Sequence, residues 1–316
     1  MQLRRTTITL TSKEKYTMLK FKSKELNLYV EQGKLADENS RKFIRNSLGV
    51  IKKKVEAKRH SILSGPPGVG KTYGTIHECR KNKVKFIVIE EGISDINLAT
   101  RLAVAVHSLK KNEELVVILD DADSVVFGDY KTLNKWKVAM ANANEEIGTI
   151  PMYNHPTDVK NHIISLQKQG RYEVAAAVKS FIPSDGLGLN IPMDRVRFVI
   201  LCNKNYEDAK SFSGNGAAKM RAGVAPAIDR MNSKHIDANA TTQWGWAAYV
   251  LGETQPFQKQ GYTLTNIQKI ELMSWMYANW SKLKSTSYRM VETLAAAMIN
   301  DPDNYLDEWY EQLRGK

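Results

Sequence analysis

The sequence predicts an α/β fold: a parallel sheet sandwiched between helices, followed by a small helical domain. Three observations carry this. Short apolar runs at Ile62-Leu63, Lys85 to Glu90, Leu115 to Leu119 and Arg197 to Asn203 alternate with stretches of helical periodicity. The first run leads directly into Gly65-Pro66-Pro67-Gly68-Val69-Gly70-Lys71-Thr72, a spacing suited to gripping phosphate. From about Thr241 the strand-like runs stop, and tryptophans 244, 246, 275, 280 and 309 fall among helical patterns, as a helical core requires.

Taken in order, residues 1–40 read as a basic arm. Thr6 to Thr11 is rich in β-formers, and Lys13, Lys15, Lys20, Lys22 and Lys24 follow. From about Asp37 to Lys58 the residues Phe43, Ile44, Leu48, Ile51 and Val55 recur near helical spacing, with Asp37 or Asn39 as the cap. The nucleotide-binding core is expected over 41–240. It begins with the first strand and the phosphate loop, then a helix from Tyr73 to Arg80. The second strand, Lys85 to Glu90, ends in the acidic loop Glu90 to Asp95, and a helix from Ile96 to Leu109 follows. The third strand is followed at once by Asp120-Asp121-Ala122-Asp123, and Trp136, Met140 and Ile147 predict a helix beyond. Residues 150–192 are an insertion: Pro151, His155 and Pro156 break structure, Val159 to Phe181 is mostly helical, and residues 183–188 form a turn. After the fourth strand, Ser211 to Gly223 reads as a mobile loop. The helical lid domain, 241–316, contains helices near 244–251, 265–283, 286–299 and 304–313.

Composition narrows the function classes. The chain has 316 residues, 42% hydrophobic and 25% charged, ordinary for a globular protein. No apolar run is long enough to span a membrane, and Met1 to Arg5 lacks the apolar core of a signal peptide. Cys79 and Cys202 are too few for a disulfide framework or a zinc site and read as core residues of a cytoplasmic protein. The net charge is +12, and residues 1–60 hold 16 basic against 6 acidic side chains. An anionic partner is expected. The last stretch, 301–316, reverses this with 5 acids against 2 bases; the alternative to an anionic partner is solvated surface charge, with the acidic end docking on a neighbour's basic end.

The chemistry of the loop follows from its residues. Gly65, Gly68 and Gly70 allow backbone turns that aim successive N–H groups at phosphate oxygens. Lys71 supplies charge for the outer phosphates, and the Thr72 hydroxyl suits Mg²⁺. The helix beginning there turns its positive end to the same ligand. Pro66, Pro67, Val69 and Tyr73 complete the candidate nucleotide-binding set. Asp120, ending an apolar strand, can hold the Mg²⁺ shell through water, and Asp121 can polarise an attacking water.

With these motifs the chain resembles the AAA+ ATPases over roughly residues 45–300. Gly65 to Thr72, with its Pro-Pro pair, is similar to the family's Walker A motif, and Asp120-Asp121-Ala122-Asp123 to its Walker B motif. Asp121 stands where the family usually has Glu, one methylene longer, so slow hydrolysis or binding without turnover is an alternative outcome. The resemblance implies a five-stranded parallel sheet, ATP and Mg²⁺ as ligands, and further site residues. Asn203 is similar to sensor 1, which positions the attacking water. Ala225-Pro226-Ala227-Ile228-Asp229-Arg230 is similar to the segment ending in the arginine finger, with Arg221 as the alternative. Arg289 is similar to sensor 2, which contacts the γ-phosphate from the lid. Self-association into a ring or spiral is implied, a hexamer favoured over a pentamer. The small, undecorated chain also resembles phage-encoded members, which would place it in the host cytoplasm.

Partner classes remain open at this level. DNA is favoured by the net charge, the basic N-terminal region and Lys160, Lys168, Arg171 and Lys179 in the insertion. A protein-remodelling ATPase with a protein client is the alternative. The loop Glu90 to Asp95 is acidic and lacks an aromatic residue, which disfavours polypeptide threading. A nucleotide-gated scaffold with slow turnover is the third reading, resting on Asp121. A P-loop kinase of small molecules would leave the sensor-like residues unexplained.

Overall fold

The computed structural model describes residues 18–51, 59–90, 92–121, 126–127, 136, 149–151, 156–184, 189–208, 217–283 and 285–313. The expected β-rich stretch Thr6 to Thr11, Asp123, Met140 and Ile147 lie outside them. The chain divides into two compact units, Ala36–Ala238 and the combination of Met1–Leu35 with Asn239–Lys316. The division falls within helix α1, Lys24–Ser47.

The α/β unit is built on a five-stranded sheet whose strands all run parallel. In chain order they are β1 (His60–Ser64), β2 (Lys85–Glu90), β3 (Leu115–Asp120), β6 (Val196–Cys202) and β7 (Met231–His235). Across the sheet the order is β2-β3-β6-β1-β7. The three central strands are buried almost throughout, and Leu115–Leu119 of β3 and Phe198–Cys202 of β6 are unbroken apolar runs, while β1 carries only Ile62 and Leu63. Their alternate residues face opposite layers. Val116, Ile118, Val199 and Leu201 pack with Ile44 of α1, Leu48 just beyond its end, and Cys79 of α2 (Lys71–Lys81). Val117, Leu119, Phe198 and Ile200 pack with Leu98, Leu102 and Val106 of α3 (Asp95–His107) and with Trp136.

The insertion is part of this second layer. Short strands β4 (Thr149–Pro151) and β5 (Asn190–Pro192) pair antiparallel at its base. Between them come α4 (Pro156–Lys168) and α5 (Tyr172–Lys179), separated at Gly170, which has φ 73°. Val159, Ile163, Leu166, Ala175 and Val178 join the main core, so the hairpin of helices is anchored over most of its length.

Three expectations are corrected. The helix expected from Asp37 starts at Lys24 and ends at Ser47, with Gly49 at φ 69° packed against Arg197, where a Cβ would lie 2.8 Å from the guanidinium carbon. The loop expected over 211–223 is helical from Ala217 onward, in α6 (Ala217–Ile228). Its small residues let the segment pack: Val224 and Ala227 are fully buried. Part of the expected basic arm is core, because Leu19, Phe21, Leu26 and Val30 are buried between exposed polar and charged residues.

The helical unit contains α7 (Ala240–Glu253), α8 (Asn266–Asn279), α9 (Tyr288–Asn300) and α10 (Tyr305–Glu311). Trp244 and Trp309 are fully buried, and their indole N–H groups donate to Met273 O and Leu294 O at 3.0 and 2.8 Å. Helix α8 opens with a capping box between Thr265 and Gln268. The start of α1 meets α7 backbone to backbone: a Cβ at Gly245 would lie 1.9 Å from Tyr29 O, and one at Gly33 would lie 2.1 Å from Trp246 N. Among the described residues no helix is long and apolar enough to cross a membrane.

Candidate functional site

Strand register brings the candidate residues together. Ser64, the last residue of β1, pairs with Cys202 on one side and His235 on the other. Asp120, the last of β3, pairs with Leu201. The next residues outward, Gly65, Asp121 and Asn203, therefore emerge side by side at the carboxyl edge. Backbone bonds hold them there: Gly65 N donates to Cys202 O at 3.2 Å and Asp121 N to Leu201 O at 3.1 Å. In open α/β sheets this edge is where ligands bind.

The loop has the shape its glycines allow. Gly68 and Gly70 have φ of 80° and 77°, a left-handed backbone that side chains disfavour. Gly65 is needed for a different reason: a Cβ there would come within 2.9 Å of Ile236 Cβ. Gly70 is the N-cap of α2 and offers no side-chain cap, so the helix start presents backbone N–H groups to an anion. Pro67 is exposed, while Val69 is buried and anchors the loop on the core.

Lys71 is buried, and its ammonium donates to Gly65 O, Pro66 O and Asn203 Oδ1 at 2.8, 3.0 and 2.9 Å. Asn203 turns its other end to Asp121, donating to Oδ1 at 3.1 Å. Thr72 Oγ1 donates to Asp120 Oδ1 at 2.6 Å. Burial pushes the Asp120 carboxyl above its ordinary value, the Thr72 hydrogen bond opposes this, and the nearby Asp121 charge adds to it. Asp121 is exposed and has φ 48°, a left-handed conformation that Asp tolerates better than most residues. Thr72 and Asp120 fit a magnesium ion, which needs only one or two protein oxygens beside water and phosphate.

The predicted residues Lys71, Thr72, Asp120, Asp121 and Asn203 thus form one set made of two hydrogen-bonded groups, Lys71–Asn203–Asp121 and Thr72–Asp120, which adjoin at chain positions 71–72 and 120–121. Tyr73 stands beside it on α2, half exposed and stacked on His77 with ring centroids 5.9 Å apart. Arg230 follows α6, where its guanidinium donates to Pro226 O at 3.0 Å, and no described contact joins it to the set. Arg221 is exposed on α6. Arg289 lies in the first turn of α9, in the helical unit, and is exposed.

One neighbour of the loop escaped the sequence reading. His235 Nδ1 shares a 2.8 Å hydrogen bond with Ser64 Oγ, immediately before Gly65. It sits on β7, Met-Asn-Ser-Lys-His, which has only one apolar residue and gives no strand signal. Both cysteines are buried thiols as expected, and burial pushes Cys79 up to about 12.

No protein-family model matches the chain, and no curated protein matches its sequence. Among solved structures, a point variant of Thermotoga maritima RuvB is similar at TM-score 0.40 and 12% identity, covering 83% of this chain and 62% of that one. The Thermotoga maritima RuvB Holliday junction branch migration motor is similar at TM-score 0.36 and 11% identity, covering 83% and 61%. The chain therefore spans about three fifths of the length of those RuvB chains.

Proposed function

We propose that the protein is an ATP-binding and hydrolysing oligomeric motor or switch of the AAA+ type, acting on DNA. The observation that carries the ATPase reading is the convergence of Lys71, Thr72, Asp120, Asp121 and Asn203 through direct hydrogen bonds at the ends of three adjacent strands. In this reading the α2 N-terminus and the loop amides bind the phosphates, and Lys71 exchanges its carbonyl partners for phosphate oxygens. Thr72 and Asp120 hold magnesium, which when bound neutralises charge on the transferring phosphoryl group. Asp121 accepts hydrogen bonding from the attacking water and orients it, with Asn203 fixing the carboxylate. Arg230, or Arg221, serves a neighbouring subunit's site, and Arg289 contacts the γ-phosphate from the helical domain. The DNA partner is supported by the net charge of +12.

A second reading rests on Asp121. Its carboxylate is short for the role and already takes a hydrogen bond from Asn203. This favours a nucleotide-gated switch with slow turnover.

One experiment separates these readings. ATP turnover is measured with and without duplex and single-stranded DNA, with particle mass read on the same samples. Turnover that rises with DNA in assembled particles supports the motor. Near-zero turnover that Asp121→Glu increases supports the switch. Absence of ATP binding at micromolar to millimolar nucleotide sinks both.

A further inference from the structure

We propose that the outer edge of the sheet is a docking groove for the acidic C-terminal helix of a second copy of this chain. The groove has a volume of about 580 Å³ and runs along β2, the edge strand, where α3 and α5 overhang it. Phe86, Val104 and Val174 give it apolar walls, and its charged residues are Lys85, Arg101 and Arg171, with no carboxylate among the lining side chains. Lys85 is engaged by Glu113 at 2.5 Å, so Arg101 and Arg171 carry the unmatched charge. The groove therefore combines apolar surface with two exposed guanidinium groups.

The occupant is a helix rather than an added strand. Edge strands usually recruit another strand through free carbonyl and amide groups. Here Arg101 donates to Val88 O at 2.7 Å, closing part of that ladder. Arg101 retains other N–H donors for a carboxylate.

The same chain carries a surface of matching character. On α10, Leu306 and Tyr310 are one turn apart and 43% and 51% exposed, two of the few large hydrophobic side chains left in solvent. Asp307 lies on the same outward side, and Asp303, just before the helix, stands one turn back from it. Trp309, three residues on from Leu306, is fully buried and Tyr310 rests edge-on against Trp275 with ring centroids 5.8 Å apart, so the helix is held on its core while Leu306, Asp307 and Tyr310 form the adjoining arc that stays exposed. This outward side presents two apolar and two acidic residues, against an apolar groove with two arginines. Because groove and helix are different surfaces, the contact is heterologous and propagates into a ring or an open array.

Charge reversal and rescue test the proposal. Mass is measured across protein concentration and salt for the wild type, for Arg101→Glu with Arg171→Glu, for Asp303→Arg with Asp307→Arg, and for a protein carrying all four changes. Each reversed pair should weaken self-association about tenfold or more, because like charges then meet across the contact. The four-change protein should recover most of the loss, which also excludes misfolding as the cause. Val104→Cys in one copy and Leu306→Cys in another should join through a short bismaleimide linker, the native Cys79 and Cys202 being buried. Monomers at every concentration, association indifferent to both reversals, or loss without rescue would each overturn the assignment. So would an acidic peptide from another protein saturating the groove while self-association persists unchanged.

Discussion

Asn203 holds Asp121 from the end of the neighbouring strand β6: its Nδ2 donates to Asp121 Oδ1 at 3.1 Å while its Oδ1 accepts from Lys71 at 2.9 Å. The amide is oriented by both partners, since a flipped side chain would set its NH2 against an ammonium and its oxygen against a carboxylate. One residue thereby ties Lys71, the candidate phosphate-binding lysine, to the acid that follows β3.

Asn203→Ala should separate binding from turnover. Lys71 keeps its two carbonyl partners, so nucleotide affinity should change less than about threefold, whereas turnover should fall by about a hundredfold through loss of a positioned polar group. Equilibrium nucleotide binding and steady-state hydrolysis on the same preparation check this. An equal loss in both would assign Asn203 to the loop's structure alone.

The Thr72–Asp120 pair predicts a magnesium requirement that follows the hydroxyl. Thr72→Ser retains the oxygen and should keep magnesium-dependent nucleotide binding within about threefold. Thr72→Val keeps the shape, removes the oxygen, and should raise the magnesium concentration needed by at least about tenfold. Titration of magnesium at fixed nucleotide reads the difference.

Acid should weaken magnesium-dependent binding earlier than for an ordinary carboxylate. Asp120 titrates above its usual 3.8, chiefly through burial, so protons compete with the cation at higher pH. The sign for folding is opposite. A raised carboxyl binds its proton more readily in the native state, so its contribution to stability grows as pH falls and is lost as pH rises through the folded value. Binding isotherms from neutral pH to about 4 should show this dependence in the wild type and not in Asp120→Asn.

His60 predicts an acid limit to the fold. Its ring is buried against Phe198, Nδ1 accepts the Phe198 N–H at 3.1 Å, and burial, with Arg59 and Arg197 nearby, lowers it from 6.5 to about 3. The unfolded chain takes up this proton below 6.5 and the native chain resists until about 3. Stability is therefore complete above 6.5 and is lost toward 3, at up to about 1.4 kcal/mol per pH unit. His60→Gln keeps an acceptor without the titration, and its denaturant midpoint should be flatter over the same interval.

The crossing of α1 and α7 leaves no room for a methyl group. Gly245→Ala would place Cβ 1.9 Å from Tyr29 O, a backbone atom that cannot rotate away. A loss of roughly 3 kcal/mol is expected, read as a lowered unfolding midpoint. Gly261→Ala is no matched control, because Gly261 has φ 88° despite open space around it.

The sequence was most legible where burial was two-sided. Strands β3 and β6 are covered on both faces and their apolar runs mark them, while β1, equally buried but with only Ile62 and Leu63 apolar, was legible chiefly because it leads into the glycine-rich loop. The candidate phosphate loop and the acids after β3 stood out in the sequence because the chemistry proposed for them demands particular residue types at set spacings. Strand β7 was not, since at the sheet edge only Met231 is fully buried and the remaining Asn-Ser-Lys-His carries no β-pattern. The start of α1 was obscured for a related reason: exposed lysines at positions 20, 22 and 24 surround Leu19 and Phe21, both buried. Which side chains hydrogen-bond across the site, and the role of His235 beside Ser64, depended on strand register, which local pattern does not encode.

The helical unit is assembled from both ends of the chain, with Ala36–Ala238 lying between its parts in sequence. Its core needs Leu19, Phe21 and Val30 together with Trp244, Leu272 and Trp309. On the ribosome the first of these residues emerge long before the last. The α/β unit, being continuous, can fold while synthesis proceeds. The early segment must keep its apolar side chains without their final partners until the last helices arrive, so late truncations should strand it exposed and prone to aggregation.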